Sequence, residues 1–289
     1  MSFATDYIKT AVPFDEKKIF ENLDHLRIDK KNNLVSTFYY DKLVHEQEVS
    51  TRYYAFDFPD FTKSIVSKID NYFKPVRYRM DINRGIQELR IFGDEVDVNG
   101  EKYFKMLSLL NSSNRMKSLQ INIGLLRLVC ANGMVAAVPG ENASIKSKHF
   151  HNSLSKKIES FSDKLKRFGI IIDKQLEIIS NLNGKMVSFH DIVKGLIYDE
   201  SKKEMQTSKI SLARKLAQNL ISSETDKLDT ISSSMNTYLF RPELILYNKK
   251  DDFQVSALNA YNCYTESFRG QDTAKIALET NRILNIITI

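Results

Sequence analysis

Glycine and proline are scarce in this chain, 10 and 5 among 289 residues. Long disordered linkers are therefore not expected. Cysteine is scarcer still. Cys130 and Cys263 lie far apart, and although a single bridge between them can be drawn, reduced thiols in a cytoplasmic setting are the better reading. No apolar run approaches the roughly 18 residues needed to span a bilayer. The N-terminus, MSFATDYIKT, has no basic region followed by an apolar core, so no secretory leader is expected. The phosphate-cradling patterns GxGxxG and GxxxxGKS/T are also missing. Their absence argues against a Rossmann oxidoreductase or a nucleotide-driven motor.

What is present suits a globular protein. Hydrophobic residues make up 42% and charged residues 27%, enough for one large core or two modest ones. Net charge is +6, which hints at an anionic partner. Between Ser144 and Phe168 the cations Lys146, Lys148, Lys156, Lys157, Lys164, Lys166 and Arg167 face only Glu159 and Asp163, so most of the excess sits there.

Short aromatic runs up to Phe61 favour strands. Ile65, Ile69 and Phe73 then predict a helix over 61–73, with Pro75 just past its end. From Val76 the period changes to two. ELRIFGDEVDV and KYFKMLSLL flank Asn99-Gly100, a tight hairpin turn. Leu119, Ile121, Ile123 and Leu125 alternate with polar residues and glycine, and the slip at Gly124 predicts a bulge or close contact. Residues 76–138 thus read as a four-strand antiparallel meander. Leu154, Ile158, Phe161, Leu165, Phe168, Ile172, Leu176 and Ile179 then recur as one amphipathic helix of roughly eight turns. Asn183-Gly184 closes it, Ser188 caps the next helix, and Ile210–Ile221 and Phe253–Ile287 read as further helices.

The expected fold class is α+β: an antiparallel meander (about 76–138) packed against a long amphipathic helix and further C-terminal helices. Three stretches follow: an aromatic-rich β or irregular segment over 1–60, an α+β core with the basic helix over 61–185, and a helical region over 186–289, continuous with the core.

Four kinds of chemistry compete. Cys130 with His149 and Asn132 has the residue types of a cysteine nucleophile, but its neighbours Leu126, Leu128 and Val129 point to a buried, inert thiol. Cys130, His149 and His151 lack the paired short spacings of structural zinc. Asp94, Glu95 and Asp97 read as a solvated turn, and His190-Asp191 as a helix start. No catalytic residue, metal or cofactor is expected. The fourth candidate is an anion-binding surface. Arg77 and Arg79 share a strand face with Tyr78 opposite, Arg84 and Arg90 follow, and Lys146, Lys148 and His149 lead into the cations of the long helix. Such a track could neutralise phosphates while aromatic rings stack bases.

YFKMLSLLNSSNRMKSLQINIGLLRLVCANGMVAAV followed by IKSKHFHNS resembles the phage- and plasmid-borne family called domain of unknown function 932. Its members show an Asn-Ser pair on a strand, then R-x-V-C-x-N, then R-x-R-H-T. Those places are held here by Asn111 and Ser112, by Arg127, Cys130 and Asn132 (with Gly133 following), and by Lys146, Lys148 and His149. Lysines replace arginines and Phe150 replaces threonine, which keeps charge but loses the bidentate fork. The resemblance covers roughly 85–180 and implies DNA metabolism or a contest with host defences. A meander followed by a long helix is also similar in outline to phage single-strand annealing proteins, which need no nucleotide. The sequence reading is a cytoplasmic, non-catalytic protein that binds single-stranded DNA, as a homo-oligomer, in annealing or recombination. Its rival is a protein-interaction component, a host-defence inhibitor or virion protein with a phage or host partner, in which the aromatic-rich N-terminal part and the final helices ending in ILNIITI are the working surfaces; burial of that apolar terminus in the protein's own core is the preferred alternative to docking. A hydrolase using Cys130 or the Asp94 cluster is the third class.

Overall fold

A computed structural model describes residues 11–83, 85–98, 100–113, 118–127, 133–134, 144–147, 161, 163–199, 204–224, 254–267, 279 and 282–287. The fold is α+β with antiparallel sheets. It divides into two compact units, Met1–Gln175 and Leu176–Ile289. The aromatic-rich stretch over 1–60 lies in the first unit together with the meander.

In the first unit the chain opens with a short strand β1 (Val12–Pro13) and a helix α1 (Glu16–Asp24). This helix is missing from the sequence reading of 1–60. Asp15 caps it by accepting from Lys18 N (3.1 Å), and Ile19 and Leu23, four apart, are its buried face. A three-stranded sheet follows: β2 (Leu26–Lys31), β3 (Leu34–Tyr39) and β4 (Lys42–Glu48). Tyr40 and Asp41, both at positive φ (49° and 59°), turn β3 into β4. The helix expected over 61–73 is instead α2 (Phe58–Val66) and a 3-10 turn (Ile69–Asn71). Asp57 caps α2 and Pro59 fits its first turn, a start signal that the aromatic run hides in the sequence.

The meander is observed: β5 (Pro75–Asn83), β6 (Ile86–Val98), β7 (Glu101–Ser112) and β8 (Leu119–Arg127), each antiparallel to the next. Val98 pairs with Glu101 across the Asn99-Gly100 turn, and Gly100 has φ 82°. β1 joins the outer edge of β5, and β9 (Gly133–Met134) and β10 (Ser144–Ser147) both pair with β8, giving seven strands. Two expectations need correction. The fourth strand does not continue to 138, because Gly133 pairs back on Leu126 and so β9 runs antiparallel to β8. Of the two readings of Gly124, a bulge or a close contact, the bulge is not observed. Register there is unbroken, because β8 is buried on both faces and Leu125 and Leu126 each find cover. Register shifts fall instead on β6 between Phe92 and Glu95 and on β5 between Pro75 and Arg77. A Cβ on Gly93 would meet Phe73 Cδ2 at 2.6 Å, so Gly93 permits a close approach at this point of the sheet.

The stripe expected for one long helix is buried at Phe161, Leu165, Phe168, Ile172 and Ile179. The helix is not continuous. Helical residues 163–166 end at Arg167, whose N donates to Lys164 O (3.0 Å) in a tightened turn, and α3 (Phe168–Leu182) starts beyond it. Within the first unit Phe73 stacks on Phe168 (centroids 4.5 Å, 11°) and Phe61 lies 6.4 Å from Phe161.

Among the described residues the second unit is mostly helical. Gly184 (φ 74°) follows α3. Ser188 caps α4 (Phe189–Ile197) by accepting from Asp191 N (3.0 Å). Then come α5 (Thr207–Glu224), α6 (Ala257–Glu266) and helical residues 282–287. Two-stranded ribbons β11 (Met186–Ser188) with β14 (Gln254–Ser256), and β12 (Tyr198–Asp199) with β13 (Glu204–Met205), complete it. Among the described residues no helix is long and apolar enough to cross a membrane.

Candidate functional site

Alternation along β5 and β6 sends Tyr78, Met80, Leu89 and Ile91 to one face and Arg77, Arg79, Asp81, Glu88 and Arg90 to the other. Register extends the charged face across the sheet. Arg79 is aligned with Arg90, Arg90 with Ser108, Ser108 with Asn122, and Asn122 with Ser144. The adjacent row runs Asp81, Glu88, Leu110, Gln120 and Lys146. Of the expected anion-binding residues, Arg77, Arg79, Arg90 and Lys146 therefore share one sheet face. Arg127, opposite Tyr103, belongs to the other alternation.

Like charges stand directly opposite in this pattern, an unfavourable arrangement by itself. It is relieved along each strand. Arg79 donates to Asp81 twice, from Nε to Oδ2 (2.7 Å) and from Nη2 to Oδ1 (3.2 Å). Arg90 donates from Nε to Glu88 Oε1 (2.7 Å), and Ser108 Oγ adds a longer hydrogen bond to the same oxygen (3.4 Å). Burial pulls the Arg90 guanidinium down to about 10, so it remains charged at neutral pH. Asn122 is buried, and its Nδ2 has no hydrogen-bond partner among the described residues. The face therefore holds two internally compensated ion pairs and an unmet amide donor. Ser108, Leu110, Gln120 and Asn122 in these rows are buried, so the accessible part of the face lies toward Arg77, Arg79 and Asp81. The sequence reading missed Asp81, Glu88, Ser108 and Asn122. The signal was available: R-M-D and E-L-R place opposite charges two apart, and Ser108 and Asn122 interrupt apolar strands.

Of the helix cations, Lys166 is exposed and pairs with Asp163 (3.1 Å), Arg167 is exposed, and Lys164 is half-buried. Arg84, Lys148, His149, Lys156 and Lys157 lie outside the described residues, as do Cys130, Asn132 and His151. Gly133 is the first residue of β9.

Asn111 and Ser112 close β7 and are buried. Asn111 Nδ2 donates to Gln87 Oε1 (2.8 Å), Gln87 Nε2 to Ser113 Oγ (3.3 Å), and Ser113 Oγ shares a hydrogen bond with Thr37 Oγ1 (2.6 Å). Tyr53 OH donates to Ser112 O (3.2 Å), and burial pushes its hydroxyl up to about 12. This first motif element is thus a polar seam joining the small sheet to the end of the meander.

The other chemical candidates find structural partners. Glu95 pairs with Lys102 (2.7 Å) and Asp97 accepts from Gly100 N (2.9 Å), as a turn face should. His190 Nδ1 lies 3.2 Å from Asp191 Oδ1 at the start of α4. Cys263 is buried, its Sγ donating to Asn259 Oδ1 (3.5 Å). Among the described residues no group of three or more His, Cys, Asp or Glu is placed to hold a metal ion.

No curated protein and no solved structure matches the chain. A family match does exist, to the domain of unknown function DUF932 over residues 84–239. That span begins at the β5–β6 turn and takes in β6 to β10 and the helices through α5. More than half of the chain is covered, and it belongs to the DUF932 family.

Proposed function

We propose that this protein binds single-stranded nucleic acid electrostatically and without catalysis, as a cytoplasmic homo-oligomer in phage- or plasmid-type DNA annealing and recombination. The observation that carries this reading is the alignment of Arg79 with Arg90 on a sheet face that also holds Arg77 and, one row away, Lys146. Because Arg79 and Arg90 already hold Asp81 and Glu88, phosphates compete with carboxylates there. Most of the favourable charge then comes from the lysines between Ser144 and Phe168.

The test is fluorescence anisotropy with a labelled oligonucleotide across a salt series. Log affinity is expected to fall linearly with log salt, by roughly 0.7 for each phosphate neutralised. Absence of binding at about 50 mM salt would remove the reading.

One observation favours the second reading, a protein-interaction component. Tyr40 and Leu43 are 51% and 53% exposed at the β3–β4 end of the small sheet, with Val44 beside them.

A further inference from the structure

The dipeptide Asn-Gly occurs at 99–100, at 132–133 and at 183–184. Asparagine is thermolabile, and least protected before glycine, whose nitrogen reaches the asparagine Cγ with no side chain in the way. The fold decides whether it does so. The attacking nitrogen must be free of hydrogen bonds, and the peptide plane between the two residues must be able to turn. Asn132 lies outside the described residues, and so does Asn99, but the attacking nitrogens of Gly100 and Gly184 are both placed.

Gly100 and Gly184 are alike in most respects. Both are exposed, both have positive φ (82° and 74°), and a Cβ added at either would meet nothing within 4 Å. They differ at the nitrogen. Gly100 N donates to Asp97 Oδ1 (2.9 Å), and the flanking Val98 and Glu101 are paired across the hairpin. Gly184 N has no hydrogen-bond partner among the described residues. Its neighbours take the carbonyls at the end of α3, Asn183 N donating to Ser180 O (3.1 Å) and Lys185 N to Leu182 O (3.4 Å). Strand pairing resumes only at Met186. Asn183 is therefore an exposed amide beside an unengaged N–H, in a loosely closed turn.

We propose that Asn183 is a spontaneous modification site that converts to isoaspartate, while Asn99 is protected by Asp97. Hydroxide removes the proton of Gly184 N. The nitrogen then attacks Asn183 Cγ, a new C–N bond forms, and the side-chain amide leaves as ammonia after taking a proton from water. Water opens the resulting succinimide. Opening at the backbone carbonyl leaves the chain running through Cγ, with the former main-chain carbonyl as a free carboxylate. The link from α3 to β11 then gains a methylene and a negative charge, placed at the negative end of a helix. At 99 the same step must first break the bond from Gly100 N to a carboxylate, which also disfavours a second negative charge beside it. The product at 183 has the chemistry of a substrate for a methyltransferase that esterifies isoaspartyl carboxylates. The inference does not depend on nucleic-acid binding.

The experiment incubates the folded full chain in mildly alkaline buffer made with heavy-oxygen water and follows its peptides by mass spectrometry. Heavy oxygen enters when the succinimide opens. Label is expected at Asn183 about tenfold faster than at Asn99. The labelled 183 peptide is expected to accept a methyl group from S-adenosylmethionine through an isoaspartyl methyltransferase, which separates isoaspartate from aspartate. Asp97→Ala is expected to raise the rate at Asn99 toward that at Asn183 and to leave Asn183 unchanged. In urea the two rates of the unaltered protein are expected to converge, and this comparison decides if the variant fails to fold. No label at Asn183, equal rates in the folded protein, or a difference that persists in urea overturns the proposal.

Discussion

Arg90 and Glu88 lie two residues apart on β6, with Arg90 Nη2 2.7 Å from Glu88 Oε1 and the two side chains only 28% and 15% exposed. Removing one partner leaves the other charge largely desolvated, a more costly state than removing both. Glu88→Leu or Arg90→Met alone is expected to lower unfolding stability by about 2–4 kcal/mol, while the two together lose less than either single change. Urea unfolding of the four proteins checks this, and additive losses would show that the pair is not coupled.

Gly93 has no room for a side chain. Its added Cβ would stand 2.6 Å from Phe73 Cδ2 and 3.2 Å from Lys74 O, and the Phe73 ring is held by its stack on Phe168. Gly93→Ala is expected to destabilise the protein by about 1–3 kcal/mol, read as a lowered thermal midpoint. An unchanged midpoint would mean that the ring moves freely.

The second unit should respond to acid through Glu279. Burial alone would raise this carboxyl, but hydrogen bonds from Lys209 Nζ (2.8 Å) and Tyr264 OH (2.6 Å), with the charges of Lys209 and Arg282, hold it below its usual value. A carboxyl lowered in the folded state contributes stability above its unfolded value of about 4.3, and that stability is lost as pH falls through the folded value. Tyr264 acts at the other limb. Burial first, then Glu279, raises its hydroxyl, so its contribution is present below about 10 and lost as pH rises. Thermal melts across pH are expected to show a loss below about 4 that Glu279→Gln flattens. The same acid limb in the variant would assign it to other carboxyls.

Reversing Lys156, Lys157 and Lys164 to Glu is expected to weaken oligonucleotide binding about equally for every base sequence and to flatten its salt slope. Weakening confined to one base sequence would point to base readout instead. Ser113→Ala provides the contrast. It removes the hydroxyl that Thr37 and Gln87 share, so it should cost about 1–3 kcal/mol of stability while leaving affinity of the folded protein unchanged.

The meander was legible in the sequence because its signals are local. Period-two alternation and the Asn-Gly dipeptide act within a few residues, and Ser188 announces α4 in the same way. Helix α1 was equally local, with Asp15 before Ile19 and Leu23, but its charged residues hid a two-residue apolar face. The supposed slip at Gly124 was misleading for a physical reason: a strand covered on both faces has no single polar side to keep in phase. The charged face was only half legible. Arginines can be counted along a chain, but that Asp81 and Glu88 neutralise two of them depends on side chains meeting after the strands have paired.

The strand order also has a kinetic consequence. Each meander strand pairs with its sequence neighbour, and the first two hairpins reverse at Gly85 and Gly100, both at positive φ. Such closures join residues already close along the chain and lose little entropy, so hairpins of this kind zip within microseconds. The bond from Thr37 to Ser113 and the pairing of Val12 with Tyr78 span far longer loops and must wait for a partner to diffuse in. The sheet thus forms from its middle, and β5, although first among the four in sequence, is the strand whose outer neighbours arrive last.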